Sequence, residues 1–212
     1  MSRTEVRTRT VYKLEELDEA TQHTAHEKWY EHAFDYGWWE FQYDDFGRIC
    51  DIIGVQLDTK PVKLRSGESR TEPCVFFSGF WSQGDGASFF GRYRYAKGSK
   101  AAIRAYCTDE ELIRITDALY ELQKPFLYGL TASITSLGSN YSHSNTMDVS
   151  VEHETREVSR ELDREITRLM RDLADWLYRG LDKEYEYQTS FEQFKESCEA
   201  NGYEFTDTGR MV

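Results

Sequence analysis

Residues 76–95, FFSGFWSQGDGASFFGRYRY, hold the densest group of side chains able to do chemistry. Ser82, Gln83, Asp85 and Ser88 place hydroxyl, amide and carboxylate groups on a turn punctuated by Gly84 and Gly86, and Phe80, Trp81, Phe89 and Phe90 supply an apolar wall beside them. Two glycines flanking an acid suit φ > 0 and a tight backbone corner. Nucleophilic catalysis would use Ser78, Ser82 or Ser88 with His143 as base. The string S-G-F-W-S-Q-G is not a G-x-S-x-G elbow, however, and strand-turn-strand replaces the strand-turn-helix that such an elbow needs. An Asp85–His143 acid/base pair, with Tyr141 orienting a substrate, requires two hairpins side by side. Against it stands a turn bond from Asp85 that closes the Gly-Asp-Gly corner, the plainer role for this residue. Anion binding is the better motivated chemistry. Amides freed at Gly84 and Gly86 form a nest, Arg92, Arg94, Lys97, Lys100 and Arg104 supply positive field, and Trp81 offers a stacking face. No helix follows directly, so this is neither a Walker nor a dinucleotide loop.

Other chemistries have little support. His23 and His26 sit three apart on an expected helix with Glu27 and His32 nearby, but the H-E-x-x-H spacing is absent and no metal set is expected. Cys50, Cys74, Cys107 and Cys198 are widely spaced with no C-x-x-C pair, which reads as reduced thiols. No apolar run follows Met1 and none reaches the ~18 residues of a membrane span, so a cytoplasmic protein without a membrane or a cofactor is expected.

Charge is laid out unevenly along a chain of 212 residues with net charge -12. Glu15–Asp58 carries 12 acids and 2 bases, Thr59–Tyr106 carries 3 acids and 9 bases, and Asp182–Asp207 carries 8 acids and 2 bases. The basic segment contains the glycine-punctuated loop. Either strands there carry Arg and Lys on a wet face, or an anionic ligand or acidic partner meets the hairpin. Extended DNA or RNA would be repelled by the rest of the chain.

The elements that must position these groups follow from periodicity. Glu5–Tyr12 alternates as a strand. Asp18 caps a helix from Glu19 to about Tyr36, and a second helix spans Trp38–Ile53 before Gly54. Val75–Phe80 and Ser88–Tyr95 form a hairpin. Thr108 or Asp109 caps a helix over Glu110–Gln123, which Pro125 stops. Leu127–Ser136 and Thr146–His153 form a second hairpin. An apolar stripe from Val158 to Leu181 predicts a helix from about Thr155 to Tyr187, with the Arg and Glu rows opposite it as i,i+3 pairs. A short helix through Phe191, Phe194 and Cys198 closes at Gly202.

The chain resembles a family of small phage-encoded proteins labelled "antitoxin of a toxin–antitoxin stability system". The residues that carry the likeness are Val11–Leu17, the Trp38–Gly54 segment ending Ile52-Ile53-Gly54, and above all Phe77-Ser78-Gly79-Phe80-Trp81-Ser82-Gln83-Gly84-Asp85-Gly86-Ala87-Ser88-Phe89. Tyr141-Ser142-His143, Tyr203–Thr206 and Gly209 also agree. The resemblance implies a phage protein in the cytoplasm of an infected bacterium.

These observations predict an α+β fold. An antiparallel sheet of about five strands would carry helices on one face. Residues 1–154 would form the core, and a long helix with a short one over 155–212 would pack on it. The expected function is a non-enzymatic binding protein that neutralises a host defence factor or toxin through the 81–88 loop, a basic partner being one option for the acidic helices. The alternative is a binder or hydrolase of a small anionic nucleotide on the basic 75–106 hairpin. Trp81, Ser82, Gln83, Gly84, Asp85, Gly86, Arg92, Arg94, Tyr141 and His143 are the candidate contacts. A helix of ~45–50 Å would overhang a compact domain of ~35 Å, so a homodimer covering its stripe is also expected.

Overall fold

A computed structural model describes residues 8–34, 37–63, 67–138 and 142–212, the side chains of residues 32 and 33 excepted. The chain forms two compact units, one of residues 40–182 and one of residues 1–39 with 183–212.

The larger unit opens with α2 (Glu40–Ile53), and α1 (Glu19–Ala33) belongs to the smaller unit. Phe46, Ile49, Cys50 and Ile53 recur every three or four residues and are buried. Gly54 ends the helix with φ +99°, a conformation that a β-carbon would strain. Six short strands follow: β1 (Val55–Leu57), β2 (Thr59–Lys63), β3 (Ser69–Pro73), β4 (Val75–Phe77), β5 (Ala87–Phe89) and β6 (Gly91–Arg94). They are three extended segments that exchange partners at one point. β1 pairs with β6, β2 with β3, and β4 with β5, all antiparallel. A ring of three hydrogen bonds marks the exchange: Asp58 N to Phe90 O at 2.9 Å, Phe90 N to Cys74 O at 2.9 Å, and Cys74 N to Asp58 O at 2.7 Å. Each junction residue thus keeps its backbone groups paired while the strand turns from one partner to the next. The expected 75–95 hairpin is real only over β4 and β5, because past Phe90 the second strand leaves for the main sheet.

That sheet has four strands rather than five, in the order β1-β6-β7-β8, where β7 is Leu130–Ser136 and β8 is Met147–His153. All its pairings are antiparallel. Two further two-stranded sheets, β2-β3 and β4-β5, account for the other strands. Between β6 and β7 lie α3 (Ser99–Tyr106) and α4 (Glu110–Gln123). Asp109 caps α4 by accepting the amides of Glu111 at 3.0 Å and Leu112 at 2.9 Å. The fully buried Gln123 side chain accepts the Leu130 amide at 3.1 Å and donates to the Leu130 carbonyl at 2.9 Å, standing in for a strand neighbour at the start of β7.

The long helix α5 spans Arg160–Gln188, 29 residues and about 43 Å. It starts five residues later than expected for a local reason. The Nδ1 atom of His153 accepts the amides of Thr155 and Arg156, both at 3.1 Å, which holds them in a turn, and Ser159 Oγ then accepts the Leu162 amide at 3.2 Å. The helix passes Gly180 without a break. Within the larger unit its stripe of Ile166, Leu169, Met170, Leu173, Ala174, Leu177 and Leu181 is buried by the chain itself, which removes the burial argument for a second copy. Arg168 and Glu165 form one of the expected i,i+3 pairs at 2.7 Å.

In the smaller unit, Asp18 accepts the Thr21 amide at 2.8 Å and caps α1. Leu14, Leu17, Ala25 and Trp29 pack with Phe194 and Cys198 of α6 (Phe191–Asn201) and with Phe205. Of the expected Glu5–Tyr12 strand, residues 5–7 lie outside the described region, and only Tyr12 pairs, bridging Phe205. Among the described residues no helix is long and apolar enough to cross a membrane.

Candidate functional site

The loop between β4 and β5 is held at three places. Ser78 N donates to Gly86 O at 3.1 Å, extending the β4-β5 ladder by one step, and Ser78 Oγ donates to the Ser142 carbonyl at 2.9 Å. Gly79 then takes a left-handed conformation (φ +76°), and its carbonyl accepts the Tyr178 hydroxyl of α5 at 3.1 Å. Finally, Asp85 Oδ2 accepts the amides of Trp81 at 2.8 Å and Ser82 at 2.6 Å, while Asp85 N donates to Ser82 O at 3.0 Å. The acid therefore closes the turn on itself, as the plainer reading of the sequence holds. This has a chemical consequence. The amides of Trp81 and Ser82 are filled by the protein's own carboxylate and closed to an external anion, whereas the expected nest is at Gly84 and Gly86. The left-handed glycine of the segment is Gly79, not one of the two that flank Asp85.

Gly86 serves a different purpose. It is buried, and a β-carbon there would lie 2.8 Å from His143 Cδ2 and 3.0 Å from its Cα. His143 thus packs directly on the loop base. Its Nδ1 accepts the Asn145 amide at 3.0 Å, which places the neutral ring's proton on Nε2. Among the described residues no hydrogen bond joins His143 to Asp85. The structure brings the two hairpins together here, as an acid/base pair would require, but through a ring-to-glycine contact. Tyr141 lies outside the described residues.

An aromatic ladder backs the loop. Tyr43 of α2 meets Phe77 edge-on at 6.5 Å, Phe77 stacks on Phe80 at 5.7 Å, and Phe80 stacks on Tyr178 at 5.6 Å. Burial, followed by the nearby carboxylates of Asp85 and Asp182, pushes the Tyr178 hydroxyl above its ordinary pKa and keeps it a donor. Trp81 meets Phe80 edge-on at 6.5 Å and is 81% exposed at the tip, with Ser82 and Gln83 exposed beside it. Tyr178 escapes sequence reasoning because nothing in α5's periodicity distinguishes it from other residues flanking the stripe.

The remaining candidates lie elsewhere. Arg92 and Arg94 are on β6, in a groove of the main sheet that none of residues 78–86 lines. His23 and His26 belong to the smaller unit, His23 exposed and His26 half-buried. His26 stacks on Phe194 at 5.1 Å and its Nε2 donates to Thr189 O at 3.0 Å, and His23 meets Phe191 at 5.5 Å. Among the described residues no three His, Cys, Asp or Glu side chains gather as a metal set. All four cysteines are free, and burial pushes the Cys198 thiol up to about 12 and Cys50 well above its ordinary value.

No curated protein sequence and no solved structure matches the chain. A family model described as "Domain of unknown function (DUF8835)" matches residues 38–206, which take in α2, the whole 78–88 loop, the sheet and both C-terminal helices. The chain belongs to the DUF8835 family.

Proposed function

We propose that this protein is a non-enzymatic binding protein that blocks a protein partner by inserting Trp81 and the 81–88 loop into it. The observation that carries this reading is the contrast between an indole 81% exposed and the fixed base beneath it, tied through Ser78, Gly79 and Asp85. Aromatic side chains contribute disproportionately to protein interfaces, and a loop ordered before binding loses less entropy on association. Ser82 and Gln83 supply adaptable polar contacts around the indole.

The resemblance to phage antitoxin-like proteins makes the partner a host defence factor or a toxin. Acidic residues of α2 fit a basic one in part. Glu40 is paired with Arg70 at 3.6 Å and Asp45 accepts the Tyr106 hydroxyl, which leaves the exposed Asp44 and Asp51 to a partner. The test is a single substitution. Trp81→Ala removes an exposed side chain, so its melting temperature should stay within a few degrees of the parent while neutralising activity in phage or toxin assays falls sharply. Full activity in a folded Trp81→Ala variant would remove the loop from the function.

A further inference from the structure

The main sheet turns a polar, arginine-bearing face away from its core. Val55, Tyr93, Ala132 and Val151 align across the four strands and are buried. One residue along, Gln56, Arg92, Ser133 and Ser150 align as a second row. Side chains alternate between faces along each strand, so this row points the opposite way. Arg94 follows two residues after Arg92 on the same face, opposite Thr131, which in turn lies opposite Glu152. Together these residues line a groove of ≈ 510 Å³, within the range of small-ligand sites, roughly 300–1,000 Å³.

The two guanidinium groups are exposed and have no carboxylate or other side-chain partner among the described residues. They stand side by side on one strand of a chain that has 38 acids for 26 bases. Arg70, Arg104, Arg114, Arg168 and Arg179 are each in an ion pair. On a strand, i and i+2 side chains stand about 7 Å apart, close enough for two guanidinium forks to converge on one group. Each fork matches the paired oxygens of a phosphate, and the hydroxyls of Ser133, Ser150 and Thr131 add neutral donors around it.

We propose that this face binds the phosphoryl group of a small molecule, such as a nucleoside diphosphate, with Arg92 and Arg94 as the anion clamp. Glu152 at the groove edge disfavours a long polyanion and admits a compact one. The site shares no residue with the 81–88 loop, so the two readings stand or fall separately. Calorimetric titration of the full chain with pyrophosphate, ADP and oligothymidylate tests it. Pyrophosphate and ADP should bind at millimolar concentration or below, and Arg92→Gln with Arg94→Gln should weaken both by at least about tenfold through loss of charge-assisted hydrogen bonds. Arg164→Gln, an exposed arginine on α5 outside this groove, should change nothing, and Glu152→Gln should tighten binding. Absence of binding at millimolar pyrophosphate, equal affinity in the folded double variant, or oligothymidylate binding more tightly than ADP would each overturn the proposal. If the double variant fails to fold, Arg92→Gln alone and the sign of the Glu152→Gln effect decide.

Discussion

Replacing Asp85 by alanine should loosen the loop without unfolding the protein. The carboxylate accepts two backbone amides at 2.8 and 2.6 Å, both charge-assisted. Such bonds contribute about 1.5–3 kcal/mol each in sheltered sites, but these amides are on an exposed turn and regain water when released. A net loss of about 1–3 kcal/mol against local opening follows, which corresponds to roughly 5- to 150-fold faster exchange at one decade per ~1.4 kcal/mol. Native-state hydrogen exchange read at the Trp81 and Ser82 amides is the assay. Asp85→Asn keeps one neutral acceptor and should fall between parent and alanine variant. Global melting should move little, because the ladder from Val75 to Phe77 and the Tyr178 contact remain. Unchanged exchange at both amides in Asp85→Ala would refute the claim that this carboxylate shapes the loop.

Three further outcomes concern the scaffold. Gln123→Leu should lower unfolding free energy in urea by about 2–6 kcal/mol, because it orphans the buried amide and carbonyl of Leu130 at ~1–3 kcal/mol for each group. Burial pushes the Asp109 carboxyl up, but the Leu112 amide, the Trp176 indole, the Glu111 amide and Arg179 outweigh it and hold its pKa below the ordinary value. Its contribution is therefore present above the unfolded pKa of about 4 and lost as pH falls through the lower folded value. Asp109→Ala should cost about 1–2 kcal/mol at neutral pH and flatten the acid limb of a stability–pH curve. The Cys198 thiol is raised to about 12, so the unfolded chain loses this proton first. Stability should be flat below pH ~8.5 and decline toward pH 12, and Cys198→Ser should reduce that alkaline decline.

Local signals made much of the secondary structure legible. Helix α4 begins where Asp109 can cap it and ends where Pro125 forces it to, and Gly54 closes α2 as its position implies. The second hairpin and the C-terminal helix were legible from alternation and from Phe191, Phe194 and Cys198. The three-way exchange at Asp58, Cys74 and Phe90 was not, because it depends on pairing among segments far apart in the chain. Nor was α3, whose eight residues include a single buried apolar side chain, Ile103, too few for a period. At the site, composition located the loop and put Trp81 in an apolar wall with Phe89, whereas Trp81 is exposed at the tip and Phe89 is in the core. It did not reveal that Asp85 fills the loop's own amides, that His143 is the reason for Gly86, or that Arg92 and Arg94 face a different surface. Those facts depend on which hairpin lies against which.

The central claim is that the tip of the 81–88 loop enters a protein partner, and site-directed photocrosslinking addresses it most directly. A benzophenone amino acid placed at position 81 and, as a control, at position 127 would be activated in infected or toxin-expressing cells. Leu127 is 79% exposed, so it matches Trp81 in accessibility while lying just after α4, away from both the loop and α2 in the chain. The account predicts one discrete crosslinked protein from position 81, weakened when Asp85→Ala is added, and no such product from position 127. Equal crosslinking from both positions, or none from position 81 in cells where the protein is active, would contradict it.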